Sequence, residues 1–363
     1  MATLRMIVAR RLLACLVVLI AGPALAAAPQ LVIEDNDFLG PGGSDLQSTL
    51  PLLADPDVKL LGFTVTVGDA WENEESAHLR RFLEIAGRTD IPVSDGATLP
   101  LVNSVARMRL WEQAYGPIPW KGAWGGLGSI DRVPDSQPAL PKLDEGVPRT
   151  APSQERAAEF LIRAVHAHPH QVTIVAAGPL TNLALAIRLD PDFAADAKQL
   201  VFMGALLDTS MQSVTGNADF ASDFNMIFDP EAAHIVLTAA WPRITSVGNV
   251  SNDVMMTKAL MAHIAAKRTA FTGYLARYFA PLPMWDEMTA AVAVDPTLVT
   301  RSVTATLDID TSPGVNYGHA HVWPASLAPK GLGLRPVVIV QAIDTRRFLD
   351  RFVEQAQRTG VAP

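Results

Sequence analysis

Six short, unbroken apolar runs rich in Val, Ile and Leu punctuate the chain, at residues 31–33, 60–65, 172–175, 200–203, 244–247 and 336–340. Apolar residues that do not alternate with polar ones need cover on both faces, the condition of strands in a parallel sheet. Helical patterns fall between several runs, at 74–86, 154–166, 180–187 and 230–240. Strand–helix alternation of this kind predicts an α/β layered fold, with a largely parallel central sheet flanked by helices. No internal repeat or shift in composition marks a second domain, so residues 27–363 read as one. One stretch breaks the rhythm: residues 116–152 hold many prolines and glycines plus Trp120 and Trp124. An irregular segment that long is read either as a lid over a pocket or as a solvated excursion.

The first 26 residues stand apart from the fold. Arg5, Arg10 and Arg11 precede an apolar run, and Ala24-Leu25-Ala26 supplies a small-x-small cleavage site. That order predicts an export signal and a periplasmic or secreted mature chain, with no membrane contact after cleavage. The run is shorter than the roughly 20 residues a bilayer span needs. Cys15 is the only cysteine, and its apolar core follows it, against the order of a lipoprotein box. The mature chain then has no disulfide, thiolate zinc site or cysteine nucleophile. The net charge of −8, spread without long runs, argues against nucleic acid and suits a cation or a neutral small molecule.

The apolar runs end in unusual residues. Asp35 and Asp37 follow the first, Gly68-Asp69 the second, Ala176-Ala177-Gly178 the third, Met203-Gly204 the fourth and Gly248-Asn249 the fifth. Ligands of open α/β sheets bind outside the carboxyl ends of the strands, so these acids, amides and glycines are expected to form one site. Carboxylates gathered without lysine or arginine nearby call for a cation, and oxygen-only donors favour Ca²⁺ or Mg²⁺, an irregular cage Ca²⁺. Asp45 is either a ligand or the cap of the helix it precedes. Asp286 is likewise a site residue or a cap near Glu287, Asp223 a site residue or a solvated loop acid, and Asn217, after Gly216, a site residue or a turn. Asn225, between Phe224 and Met226, is an odd place for an amide unless something binds it. His234 is expected to pack within its helix, and Tyr274 and Tyr278, four apart on one helix face, to line a pocket or pack on the core.

The strand followed by Asp35-x-Asp37 and Asp45 resembles the opening motif of the inosine–uridine-preferring nucleoside hydrolases. The blocks LLGFTVTVGD (60–69), VTIVAAGPLTNLALAIRLDP (172–191), LVFMGA (200–205), GNADFASDFNMIFDPEAAHIV (216–236) and WDEMTAAVAVDP (285–296) continue the resemblance in order. It implies an enzyme that releases ribose and free base from ribonucleosides. Asp35, Asp37, Asp45, the carbonyl of Ala177 and Asp286 would surround one Ca²⁺, Asp35 from just outside the closest ligands. Asp37 would be the general base toward water; Asp69, Met203, Asn217, Asp223 and Asn225 would hold the sugar. Relatives of this kind are commonly dimers or tetramers, so the resemblance extends to a homo-oligomer.

Several positions depart from the family pattern. The spacer FLGPGGS is long and leads to a single acid, so one sugar-binding carboxylate is missing or Ser44 stands in for it. Asp69 occupies a usual Asn, Ala177 a usual Thr, and Trp285 a usual His. Tryptophan stacks on a base but cannot protonate it. The competing expectations are a periplasmic nucleoside- or sugar-binding protein without chemistry, a Mg²⁺-dependent phosphotransferase of the haloacid-dehalogenase type, and a hydrolase of some other N-glycoside.

Overall fold

The computed structural model describes residues 28–205 and 223–360, so the expected leader and Asn217 lie outside the described residues. Nine strands among the described residues make one sheet: β1 (Gln30–Asn36), β2 (Val58–Val65), β3 (Val93–Asp95), β4 (Val172–Ala176), β5 (Gln199–Met203), β6 (Ile244–Val247), β7 (Val299–Ile309), β8 (Ala320–Trp323) and β9 (Pro336–Ile343). They lie in the order β3-β2-β1-β4-β5-β6-β9-β7-β8. Seven neighbours from β3 to β9 run parallel; β7 and β8 close one edge antiparallel. The α/β sheet expected from the apolar runs is therefore present.

Each of the six runs became a strand because each has two faces to bury. Val32, Val65, Val175, Val201, Val247 and Val340 enter one core cluster. Their neighbours Ile33, Ile174, Leu200, Phe202, Ile244 and Ile339 enter the other, on the opposite face of the sheet. Successive strand residues point to opposite sides, so an unbroken apolar run feeds both layers. Helix Glu72–Ala86 packs on the first layer, and helices Ala157–Ala167, Thr181–Leu189 and Pro230–Thr238 on the second.

Helix Trp285–Val294 is different. Every residue from Asp286 to Val294 is buried, the pattern of a core helix wrapped by protein on all sides. Its small residues let it sit deep in the molecule, and its first turn carries Asp286 and Glu287 with it.

Residues 116–152 divide between core and surface. Trp124 is fully buried and packs on Phe228 at 4.4 Å, while most of 127–142 faces solvent. Tyr274 and Tyr278 follow the packing alternative: Tyr274 lies in the core against Phe82, and its ring leans on Tyr278 at 5.1 Å. His234 departs from expectation. It is half-exposed and pairs with Asp308 at 2.7 Å, because β7 runs beside its helix and supplies an acid the helix pattern could not reveal.

Candidate active site

The strand order reverses between β1 and β4: β2 and β3 continue to one side, β5 and β6 to the other. A crevice opens at such a switch point beyond the carboxyl ends of the strands. Asp35, Asn36 and Asp37 come from the end of β1, and Ala177 and Gly178 follow β4.

Alternation at the end of β1 sends its polar residues in two directions. Asp35 turns toward helix Thr181–Leu189, where its Oδ1 accepts Thr64 Oγ1–H at 2.5 Å and Asn182 Nδ2–H at 2.8 Å. Its buried Oδ2 has no hydrogen-bond partner among the described residues. Asn36 turns the other way and donates to Asp286 Oδ2 at 3.2 Å and to the Asp45 carbonyl at 3.4 Å. Asp37 Oδ2 accepts the Asp69 backbone N–H at 2.8 Å. Two glycines make room for it: a Cβ at Gly178 would stand 2.6 Å from Asp37 Oδ1, and one at Gly68 would overlap Oδ2.

Asp45 and Asp286 do not cap their helices. The cap positions are Gly42 and Met284, and neither helix has a side-chain cap bond. Asp45 Oδ2 accepts the Leu39 N–H at 3.1 Å, and the Asp45 and Asp286 carboxyls act on each other within the crevice. Asp223 is a buried cap, its carboxylate accepting Met226 N–H at 3.0 Å, and not a solvated loop acid. Asn225, also buried, donates to the Ala177 carbonyl at 2.5 Å and to Met203 Sδ at 3.4 Å. A carbonyl has two lone pairs, so Ala177 retains one.

Four carboxyls in this crevice are held above their ordinary range. Burial first, then the charges of Asp69, Glu75 and Asp286, push Asp37 well above the ordinary range. Burial first, then the charges of Asp69, Asp286, Asp37 and Glu287, do the same for Asp45. Burial lifts Asp286 to about 7 and Asp69 to about 6, the latter partly offset by the Trp120 indole donating at 2.5 Å. None of the groups acting on these four is a lysine or arginine. Such crowding is stable only with protons or a cation between the oxygens.

The donor set fits a hard divalent cation: carboxylates, a carbonyl, and the partnerless Asp35 Oδ2. Among the described residues no three His, Cys, Asp or Glu side chains are already gathered closely enough to hold a metal ion. The groups share one crevice but are not closed into a cage.

Ser44 does not substitute for a sugar-binding acid. Its hydroxyl donates to Glu287 Oε2 at 2.5 Å and accepts the Asp286 N–H at 3.1 Å, bracing the start of the buried helix. Trp285 spends its single N–H on Asn252 Oδ1 at 2.7 Å, leaving only the ring face for a ligand. Sequence reasoning passed over Asn36, taken as the spacer of Asp-x-Asp, and Asn182, Thr64 and Glu75. Asn182, in the first turn of its helix right after Gly178-Pro179-Leu180, was the one with a readable signal.

A family model described as "Inosine-uridine preferring nucleoside hydrolase" matches residues 32–350. Over 68% of this chain and 67% of the relative, the sequence is 32% identical to a probable uridine nucleosidase of Arabidopsis thaliana. An inosine-uridine preferring nucleoside hydrolase of Leishmania major is 28% identical over 75% of this chain and 81% of its own. A solved plant nucleoside hydrolase superposes with a TM-score of 0.69 at 25% identity, covering 91% of this chain and 99% of its own.

Proposed function

The chain belongs to the family of inosine-uridine preferring nucleoside hydrolases, and from that membership we propose an exported, calcium-dependent N-ribohydrolase that cleaves inosine- and uridine-like ribonucleosides to ribose and base. It is an enzyme of the nucleoside hydrolase class, acting on small-molecule nucleosides. The observation that carries the finer reading is the crevice of four buried carboxyls, each held above its ordinary range, with no lysine or arginine acting on them among the described residues. Export rests on the leader pattern of residues 1–26.

Asp37, Asp45, Asp286 and the Ala177 carbonyl would hold the calcium, with Asp35 behind them. A bound calcium supplies fixed positive charge that makes nearby water more acidic and holds the carboxyls ionised. Asp37 then accepts the proton of the attacking water as general base. Gly68 and Gly178 leave the space its carboxylate occupies in doing so. Asp223, Asn225 and Asp69 bind the sugar hydroxyls, with Asn217 and the backbone at Met203 assisting. Their negative charge also favours the positive character of the sugar as the bond to the base breaks. Trp285 stacks on the base, and since its N–H is committed, the proton the leaving base needs comes from elsewhere.

Ribose release from purine, pyrimidine and nicotinamide ribosides tests the reading. Asp37→Asn is expected to lose about 10²–10⁴-fold in turnover with a modest change in binding. Chelation is expected to abolish turnover and added calcium to restore it. Undiminished release by Asp37→Asn, or by the metal-stripped protein, removes the base or the ion respectively.

A further inference from the structure

The spacer between Asp37 and Asp45 is held from outside the crevice. Gly40 lies against the His78 imidazole, where a Cβ would stand 2.6 Å from His78 Cγ. Gly42, at φ 77°, presses on the carbonyl of Tyr278 at the end of helix Ala270–Arg277. Neither glycine admits a side chain, so the loop can run only where these two neighbours allow.

Those neighbours are themselves braced. His78, only 2% exposed, projects from helix Glu72–Ala86 and pairs through Nδ1 with Glu145, whose side chain is also buried. Glu74 stands 3.8 Å from the other ring nitrogen. One turn on, Arg81 Nε donates to the Glu145 carbonyl at 2.9 Å, fastening the long irregular segment to the same helix. Behind Gly42, Tyr278 is steadied by Tyr274, which stands in the core. Glu145 Oε2 and the Tyr278 hydroxyl have no hydrogen-bond partner among the described residues. A buried His–Glu pair with an unpaired oxygen is a poor device for stability, since desolvation cancels much of its attraction. What the pair does fix is the orientation of the imidazole, held by the Glu145 carboxylate against the loop.

We propose that His78, Glu145 and Tyr278 form a brace that sets the path of the 38–44 loop and so places Asp45 relative to Asp37. His78 is then a positioning residue for the cation site, acting without touching it. This rests on the calcium reading above, and the experiment separates the two.

The full chain is stripped of metal and titrated with terbium, read by tryptophan-sensitised luminescence, then with calcium in competition. Gly40→Ala, which forces the loop off the imidazole, is expected to weaken terbium binding about tenfold, the scale for disturbed outer-shell support. Gly40→Ala combined with His78→Gly, which removes the Cβ as well as the ring that the new methyl would meet, is expected to recover most of that loss. Glu145→Gln, nearly the same shape without the charge, is expected to weaken binding severalfold. A merely structural role would make the double variant worse than either single one, and that result overturns the brace. Wild-type affinity in both Gly40→Ala and Glu145→Gln overturns it too; if Gly40→Ala does not fold, Glu145→Gln decides alone. Absence of saturable terbium and calcium binding by the wild-type chain itself defeats the calcium reading, and the brace with it.

Discussion

At the scale of single residues, position matters more than identity. The role proposed for Asp37 depends on two glycines that make room for its carboxylate and on the Asp69 backbone N–H that donates to it. Gly178→Ala tests this without removing any functional group. The methyl displaces the carboxylate, and misplacement on the order of 1 Å costs about 10²-fold in turnover. Ribose release by Gly178→Ala at saturating nucleoside measures it, and wild-type turnover would show that Asp37 tolerates another orientation. The acids themselves were legible from the sequence, since four aspartates stand next to strand ends or in family blocks. The residues that orient them were not. Thr64, Asn182 and Asn36 bond across 29 to 250 residues of sequence, and only the folded topology brings them together.

At the scale of elements, what could be read was what is buried on both sides. Continuous Val, Ile and Leu announced six strands because both layers of the core demanded it. β3 is three residues long, and the first half of β7 faces solvent, so neither leaves an unbroken apolar run. The capping alternative for Asp45 and Asp286 does not hold: Asp is a good cap in isolation, but here Gly42 and Met284 stand at the cap positions. Helix Trp285–Val294 is the element on which chemistry and packing meet. Ala290 is fully buried within it, so Ala290→Leu overpacks the core at a cost of about 1–3 kcal/mol. Because the same helix delivers Asp286, the variant should also weaken calcium binding. Denaturant melts paired with calcium titration check this; a stability loss with unaltered calcium affinity would show that the helix shifts without carrying its first turn.

At the scale of the whole molecule, the crevice links folding to acidity. In the metal-free protein, burial holds Glu34 near 8, Asp35 and Asp286 near 7 and Asp69 near 6, against ordinary values of 4.5 and 3.8. The folded chain then keeps protons that the unfolded chain has released, so stability falls as pH rises from about 4 toward 8. Calcium should reverse that slope, its stabilisation growing with pH. Thermal midpoints with chelator and with calcium across this range provide the check, and a chelated midpoint that rises with pH contradicts it. Among the described residues no helix is long and apolar enough to cross a membrane. The fork in the sheet also divides labour. The residues proposed to handle the proton hang from β1, β4 and the start of a core helix, whereas Asn252, which holds the Trp285 indole, lies in the turn after β6. A lineage inheriting this plan can exchange its taste for one nucleobase by redrawing peripheral turns, leaving the bond-breaking machinery untouched.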